Sequence, residues 1–203
     1  MGHIPNLPLF LLQTVLFPED QLPVRVFEAR YMDMVSACLK SGRPFGLCLI
    51  RSGKEVGELA QPHAVGTLAA IERWDMPQAG VLNLLVRGER RFRIERLSRQ
   101  GQIAVADVAV WEPEAPCAVP HEFSHLKRLL EQIIKEYGDG LMPLPHRFDD
   151  AAWLGMRLAQ LLPVETGAKQ TWLEQRDPVE RLEAIRQALE TWAHEDCDTD
   201  DAR

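Results

Sequence analysis

The chain has 203 residues, with 23 Lys and Arg against 30 Asp and Glu, a net charge of -7, and 46% hydrophobic residues. This composition is typical of a globular protein and argues against disordered, collagen-like and membrane-spanning classes. The acidity also argues against a general nucleic-acid binder, which needs basic residues to neutralise phosphates.

Residues 1–113 predict a β-rich unit, because short apolar runs alternate with turn signals such as Gly53 and Gly57. Six strands are predicted, at Leu7–Leu12, Phe45–Ile50, Thr67–Arg73, Leu82–Val86, Arg90–Leu97 and Ile103–Trp111. One helix interrupts them, from Glu28 to Leu39, where apolar residues recur at three- and four-residue steps. This density of short strands favours a small β-barrel.

The proline-rich stretch 111–120 predicts a linker, and the pattern after it is helical. Four helices are predicted, around 123–137, 153–162 and 164–173 and from Asp177, an N-cap followed by Pro178. The tail from Glu195 holds five acids and one Arg, and we expect it to be a frayed helix end or disordered. The predicted division is therefore a barrel at 1–113, a helical bundle at 114–195 and an acidic tail at 196–203. The first 113 residues carry a net charge of +1 and the remainder -8.

The cysteines and the N-terminal segment indicate a cytoplasmic protein. Cys38, Cys48, Cys117 and Cys197 form no C-x-x-C pair, and four cysteines in a chain of this length are typical of reduced thiols. The apolar start has no basic residue before it and is broken by prolines, unlike a signal peptide. No apolar run approaches the roughly 20 residues of a membrane-spanning helix. No phosphate loop or dinucleotide fingerprint is present, so we expect no cofactor.

His121-Glu122-Phe123-Ser124-His125 fits the H-E-x-x-H pattern, in which two histidines hold Zn²⁺ and the glutamate polarises a bound water. The motif follows Pro120 at the start of a helix, and no spacing signals a third ligand. We therefore expect no metal site and interpret Glu122 as a favourable charge at the positive end of a helix. A zinc hydrolase stays as an alternative.

The segment from Arg87 to Arg99 contains six arginines and two glutamates. On a strand, Phe92 would face inward while Arg91 and Arg93 face outward, where they could follow a phosphate backbone. The alternative interpretation is a solvated face with local ion pairs.

Trp74 and Met76 lie in a segment, 74–80, that predicts a turn between strands. If exposed, these two side chains would be natural anchors for an apolar partner segment. If buried, they would cap the end of the barrel, and a single Trp–Met pair favours this second interpretation.

Four ordered blocks resemble the Lon protease N-terminal domain family. The first runs from Leu7-Pro-Leu-Phe through Val15-Leu-Phe-Pro to Leu22-Pro-Val-Arg-Val-Phe-Glu-Ala-Arg-Tyr, and the second is Gly66-Thr-Leu-Ala-Ala-Ile. The third is Val86-Arg-Gly-Glu-Arg-Arg-Phe-Arg-Ile, and the fourth spans Lys169-Gln, Leu173-Glu and Arg181-Leu-Glu. Ala29 departs from the family pattern, which often has Pro or Glu there.

The resemblance implies an α+β fold, with a PUA-like β-barrel followed by a helical bundle. It also implies a free-standing substrate-binding domain, because 203 residues leave no room for the ATPase and peptidase modules of Lon. In the family this domain engages polypeptides. We interpret the family-motif residues of the first block as mainly structural, with Phe27 packing at the helix entry and Tyr31 in the core; they are Pro18, Phe27, Glu28, Arg30 and Tyr31.

The sequence therefore predicts a non-catalytic polypeptide-binding module in the cytoplasm, with Trp74 and Met76 as candidate contacts. The alternative is an RNA-binding PUA-like module that uses Arg91 and Arg93. Expected partners are polypeptides or other proteins, with a homodimer as a further option. We expect no membrane partner and keep a nucleic acid only as the alternative.

Overall fold

The computed structural model describes residues 2–53, 60–138, 142 and 144–200, with the backbone alone beyond 192. It consists of two compact units, Met1–Pro113 and Glu114–Arg203, and each is considered by itself. The turn predicted at Gly57 lies outside the described residues, as do the last three residues of the acidic tail.

Unit 1 contains a sheet of seven strands in the described part of the chain. They are β1 (Gly2–Leu12), β2 (Gln21–Val26), β3 (Phe45–Ser52), β4 (Gln61–Pro62), β5 (Val65–Gln78), β6 (Val81–Gln100) and β7 (Ile103–Val110). The strand order is β1-β7-β6-β5-β3-β4, and β2 also pairs with β6, at residues Leu82 to Arg87. Because β1 also pairs with β3 in parallel, at Leu9 to Leu12, the sheet curves back on itself. This confirms the α+β class with a barrel-like sheet.

Two clusters of buried side chains are described in unit 1, and the residues of both come from this unit. The first lies between the sheet and helix α1 (Ala29–Ser41), whose Tyr31, Met34, Val35 and Cys38 form its buried face. The second cluster includes Phe92 of β6 together with buried residues of β1 and β7. The 3.6-residue spacing of the apolar positions explains why one face of α1 is buried, and Gly42 ends the helix at φ 65°.

Unit 2 contains α2 (Ser124–Tyr137), preceded by a 3₁₀ turn at His121–Phe123, then α3 (Ala151–Leu161), α4 (Thr166–Glu174) and α5 (Pro178–Asp200). The predicted start of α5 is confirmed, because Asp177 accepts hydrogen bonds from the backbone N–H of Val179 at 2.8 Å and of Glu180 at 3.2 Å. The backbone of α5 is helical to Asp200, so the helix extends into the segment that we expected to be frayed or disordered.

The proline-rich stretch is not a free linker within unit 2. The backbone N–H of Cys117 donates to the Asp150 carboxylate, and the N–H of Ala151 donates to the carbonyl of Cys117 at 2.7 Å. The same carboxylate accepts from the N–H of Ala152 and so caps α3. The stretch is therefore held against the first turn of α3. The carbonyl of Cys117 accepts from the N–H of Ala151, one of the donors that a helix start leaves without an intrahelical partner.

A buried cation organises the C-terminal part of unit 2. The Arg181 side chain is completely buried, and its guanidinium donates to both carboxylate oxygens of Glu114. It also donates to the backbone carbonyls of Trp172 and Gln175. This bidentate pair with further acceptors is the arrangement that lets a charged side chain lie in a protein interior.

Candidate functional site

The longest feature of unit 1 is the hairpin formed by β5 and β6. Its strands have 14 and 20 residues, and the turn between them is the two-residue loop Ala79-Gly80, with Gly80 at φ 80°. The segment predicted as a turn is therefore mostly strand. Asp75, Pro77 and Gly80 carry turn chemistry, but pairing with β6 continues until Gln78 meets Val81.

The outer half of β5 has a free edge. On one side β5 pairs with β6 along its length, whereas on the other it pairs with β3 only at Thr67 to Ala69. In an antiparallel sheet, the backbone N–H and C=O groups of successive residues point alternately to the two sides. Among the described strands, none therefore meets the outward-pointing groups of β5 beyond Ala69.

Trp74 extends the core-facing side of the sheet to this edge. It lies opposite Leu84 of β6, and Leu84 lies opposite Val24 of β2. Directly opposed residues share one face of a sheet, and both Leu84 and Val24 are buried. Trp74 is 55% exposed, and Met76, two residues further along, is 52% exposed. We name Trp74 and Met76 the edge patch. Our preferred interpretation, that they are buried at the barrel end, is wrong, and the exposed alternative holds.

The charged residues beside the edge patch differ in their pairing. Glu72 binds the Arg87 guanidinium at 2.9 Å and accepts from the Gln21 amide at 2.7 Å. Arg73 and Asp75 lie on either side of Trp74 and are exposed, and neither has an ion-pair partner among the described residues. The regular pairing of β5 is bounded by irregularities between Ile71 and Arg73 and between Asp75 and Gln78.

A groove of about 860 Å³ lies elsewhere in unit 1, between β1, α1 and the β6–β7 turn. Its walls combine apolar side chains, such as Met34 and Ile103, with Asp33 and Arg43. No sequence pattern predicted this groove, because its walls come from three segments that are far apart along the chain.

The motif residues of the α1 entry have mixed roles. Arg30 forms an ion pair with Glu28 at 2.9 Å, and its guanidinium lies 4.7 Å from the centroid of the Tyr31 ring. Tyr31 is buried and packs on Phe10 with ring centroids 4.2 Å apart. Pro18 is half-buried in the turn before β2.

The expected packing of Phe27 at the helix entry is wrong, because this side chain is 57% exposed. The preceding residue, Val26, is instead buried at the end of β2, where it pairs with Leu82. Strand alternation turns the residue next to a buried one away from the core.

Arg91 is also placed differently from the prediction. It is buried, and its guanidinium lies 4.8 Å from the centroid of the Trp111 ring. The register between β5 and β6 shifts between Thr67 and Ala69, so β6 has an extra residue there and its alternation is broken. Arg93 is exposed as expected. The RNA hypothesis therefore loses one of its two candidate residues.

Asp107 on β7 connects two neighbouring strands. Its carboxylate accepts from the backbone N–H of Asn6 at 3.0 Å and from the Arg96 guanidinium at 2.9 Å. These two hydrogen bonds hold the pKa of Asp107 below its ordinary value, so the group is ionised at neutral pH. The contact lies at the irregularity between Ile4 and Leu7 of β1, where Asn6 has φ 51°.

The H-E-x-x-H segment begins in the 3₁₀ turn and continues into α2, so its histidines do not belong to one regular helix. Both are exposed, and His125 Nδ1 lies 3.0 Å from the carbonyl oxygen of Glu122. Within the described residues, no group of three or more His, Cys, Asp or Glu side chains is arranged to hold a metal ion.

Two glycines of the resemblance blocks are required by close backbone approach. A Cβ on Gly88 would lie 2.1 Å from the carbonyl oxygen of Phe17, and one on Gly66 would lie 2.6 Å from that of Leu47. The backbone of Gly88 also exchanges hydrogen bonds with Glu19 and Asp20. These contacts hold the segment before β2 against β6.

The family model of the ATP-dependent protease La (Lon) substrate-binding domain matches residues 6–191. The chain belongs to this family. Among solved structures, a Lon N-terminal domain protein from Xanthomonas campestris is 38% identical, with a TM-score of 0.77, and the match covers 91% of this chain and 98% of that one. The N-terminal domain of the Mycobacterium avium complex Lon protease is 20% identical with a TM-score of 0.63, over 89% and 95% of the two chains, and supports the fold alone.

Curated Lon proteases match over a small part of their length. Lon protease 2 of Herpetosiphon aurantiacus is 27% identical over 92% of this chain and 23% of its own length. The Lon protease of Syntrophus aciditrophicus is 27% identical over 90% and 24%. This Lon substrate-binding domain therefore spans about a quarter of the curated relatives that it matches. None of its described helices has the length and apolar character needed to cross a membrane.

Proposed function

We propose that this Lon substrate-binding domain is a non-catalytic module that binds unfolded or extended polypeptides through the edge patch. The observation that carries the proposal is the exposure of Trp74 and Met76 at a free strand edge, on a face that continues into the core. Large exposed apolar side chains on a folded domain mark interaction sites, and Trp is enriched among the residues that contribute most to binding.

The chemistry of the patch suits an unfolded chain. A tryptophan ring and a flexible thioether adapt to side chains of different shapes, so they bind apolar residues without requiring one sequence. Substrate recognition therefore needs no reactive group, which agrees with a sequence that contains no nucleophile or phosphate-loop motif.

We also place this activity in the cytoplasm. The cysteines with described side chains, Cys38, Cys48 and Cys117, are free thiols, and burial raises the pKa of Cys38 and of Cys48. Thiols buried in this way stay protonated and unreactive, as is usual for structural cysteines in a reducing compartment.

The test is binding of a permanently unfolded chain, with reduced and carboxymethylated lysozyme as probe and native lysozyme as the negative control. Trp74→Ala should weaken binding of the unfolded probe about tenfold or more, because a central aromatic anchor is lost. Tyr137→Ala is the matched control, since Tyr137 is an aromatic residue that is 71% exposed outside the patch. Equal binding by native protein and Trp74→Ala, or equal affinity for native lysozyme, would refute the proposal.

A further inference from the structure

We infer that the free edge of β5 pairs with the same edge of a second copy of this chain, in an antiparallel two-fold arrangement centred on Trp74. The inference deepens the proposed function, because it concerns the same edge patch and gives it a partner. It starts from the regular part of β5, Arg73 to Asp75, which lies opposite Leu85, Leu84 and Asn83 of β6 without an irregularity.

The charges on this stretch are complementary to themselves. Arg73 and Asp75 flank Trp74, are exposed, and have no ion-pair partner in the described parts of the chain. If two such strands run antiparallel about Trp74, Arg73 of each copy lies opposite Asp75 of the other. Opposite charges facing each other across a strand pair stabilise it, whereas a parallel arrangement would align like charges. The charge order therefore favours a second copy in one orientation.

The backbone also fits this arrangement. Beyond Ala69, no described strand covers the outer side of β5, so its outward N–H and C=O groups can join an antiparallel ladder. Pro77 has no N–H to donate and lies outside the Arg73–Asp75 stretch, so it limits the length of the ladder without interrupting its centre. A closed two-fold pair uses up both edges and does not propagate into fibres.

Pairing would join the two edge patches instead of covering them. Directly opposed side chains lie on one face of a sheet, so Trp74 of one copy would lie beside Trp74 of the other. The apolar face that each copy extends from its core to Trp74 would then continue across the two-fold axis. The dimer would thus present one larger surface to an unfolded polypeptide.

The interface is short, so we expect dissociation constants of about 100 µM, in the range of weak encounters. The first measurement is sedimentation of the full chain from about 10 µM to about 1 mM, where a concentration-dependent dimer is expected. A chain that stays monomeric at about 1 mM would overturn the inference. Protection of the β5 backbone amides from hydrogen exchange by an added extended peptide would show that this edge pairs with polypeptides and not with a second copy. That result would also overturn the inference.

Charge reversals provide the decisive test. Arg73→Asp alone and Asp75→Arg alone each create like-charge contacts across the axis and should weaken the dimer about tenfold or more. A one-to-one mixture of the two variants restores opposite charges and should form a heterodimer about as tightly as the native chain dimerises. Arg93→Asp makes the same charge change on an exposed residue of β6 and should leave dimerisation unchanged. A dimer that is insensitive to the single reversals, or a mixture that stays monomeric, would contradict the inference.

Binding of unfolded lysozyme at about 1 µM, where the chain is monomeric, tests the proposed function separately. There the single charge reversals should change the affinity by less than about threefold, because exposed charges contribute little. A native chain that binds unfolded lysozyme but does not dimerise would refute only the inference. A Trp74→Ala variant that binds unfolded lysozyme as tightly as the native chain would refute only the proposed function.

Discussion

Single arginines show how unit 1 and unit 2 place cations away from water. Arg91 lies over the Trp111 ring, and the backbone N–H of Trp111 donates to the carbonyl of Arg91 at 2.8 Å. The guanidinium of Arg181 donates to four oxygen atoms, the two carboxylate oxygens of Glu114 and the carbonyls of Trp172 and Gln175. Neither position could be found from spacing, because an arginine in a charged stretch is most often on the surface. The role of Glu114 as the partner of Arg181 could not be predicted either, since Glu114 lies in a proline-rich stretch that predicted a linker.

At the residue scale, we expect Arg181→Leu to destabilise unit 2 by about 3–5 kcal/mol, because the variant leaves the Glu114 carboxylate and two carbonyls without their donor. Urea unfolding followed by helical circular dichroism measures this effect. Arg186→Leu is the matched control on the same helix, since Arg186 forms ion pairs with Glu183 and Glu190 at the surface. A shift no larger than that of the control would show that the buried pair does not stabilise unit 2.

Elements with strong local signals were predicted well. The helix over 178–200 begins where Asp177 and Pro178 place it, and the helix predicted over 28–39 is α1. Weaker signals failed for physical reasons. β2 is not among the six predicted strands, and it contains Pro23. A proline is tolerated there because, among the described strands, β2 pairs with β6 alone. The two strands predicted at 82–86 and 90–97 are one strand, because Gly88 serves a close contact and not a turn.

Exposure at the candidate site also depends on strand pairing that the local sequence does not determine. The sequence identified Trp74 and Met76 as possible contacts but could not decide their exposure, which depends on how far β5 runs beyond β3. Alternation failed at Arg91 because register irregularities are set by pairing with other strands. Pairing between strands that are distant along the chain therefore set the exposure of Trp74 and the burial of Arg91, which the local sequence pattern could not predict.

At the element scale, Gly88→Ala should lower the thermal midpoint of unit 1 sharply, because the new methyl group would overlap the Phe17 carbonyl oxygen and force β6 away from the turn before β2. We expect a loss of about 2–4 kcal/mol, similar to severe overpacking and strain. Gly167→Ala is the control, since its Cβ would meet nothing within 4 Å. Calorimetry showing equal midpoints for the two variants would refute this account of Gly88.

The whole molecule divides into two compact units, Met1–Pro113 and Glu114–Arg203. The two described clusters of unit 1 are formed by residues before 111. The helices of unit 2 carry buried leucines, namely Leu126, Leu154, Leu158 and Leu182. The edge patch, the free edge and the groove all belong to unit 1. Charge follows the same division, with a net +1 on the first 113 residues and -8 on the others. The acidity that argued against nucleic acid is therefore a property of unit 2.

At this scale, we expect a fragment of residues 1–113 to fold alone, because its buried clusters contain no residue of the other unit. It should unfold cooperatively on heating and bind unfolded lysozyme with an affinity within about threefold of the full chain. Dispersed amide resonances and a binding titration are the measurements. A fragment without cooperative unfolding would show that unit 1 depends on the rest of the chain.

The pairing of the first and last strands of unit 1 has a consequence for its use in other proteins. Gly2 of β1 lies opposite Val110 of β7 in an antiparallel strand pair. The two ends of unit 1 are therefore next to each other in space. A module whose two ends are adjacent can be inserted into a surface loop of a host without stretching that loop. Unit 1 is therefore suited to insertion into different host proteins, since the host needs only two attachment points that lie close together.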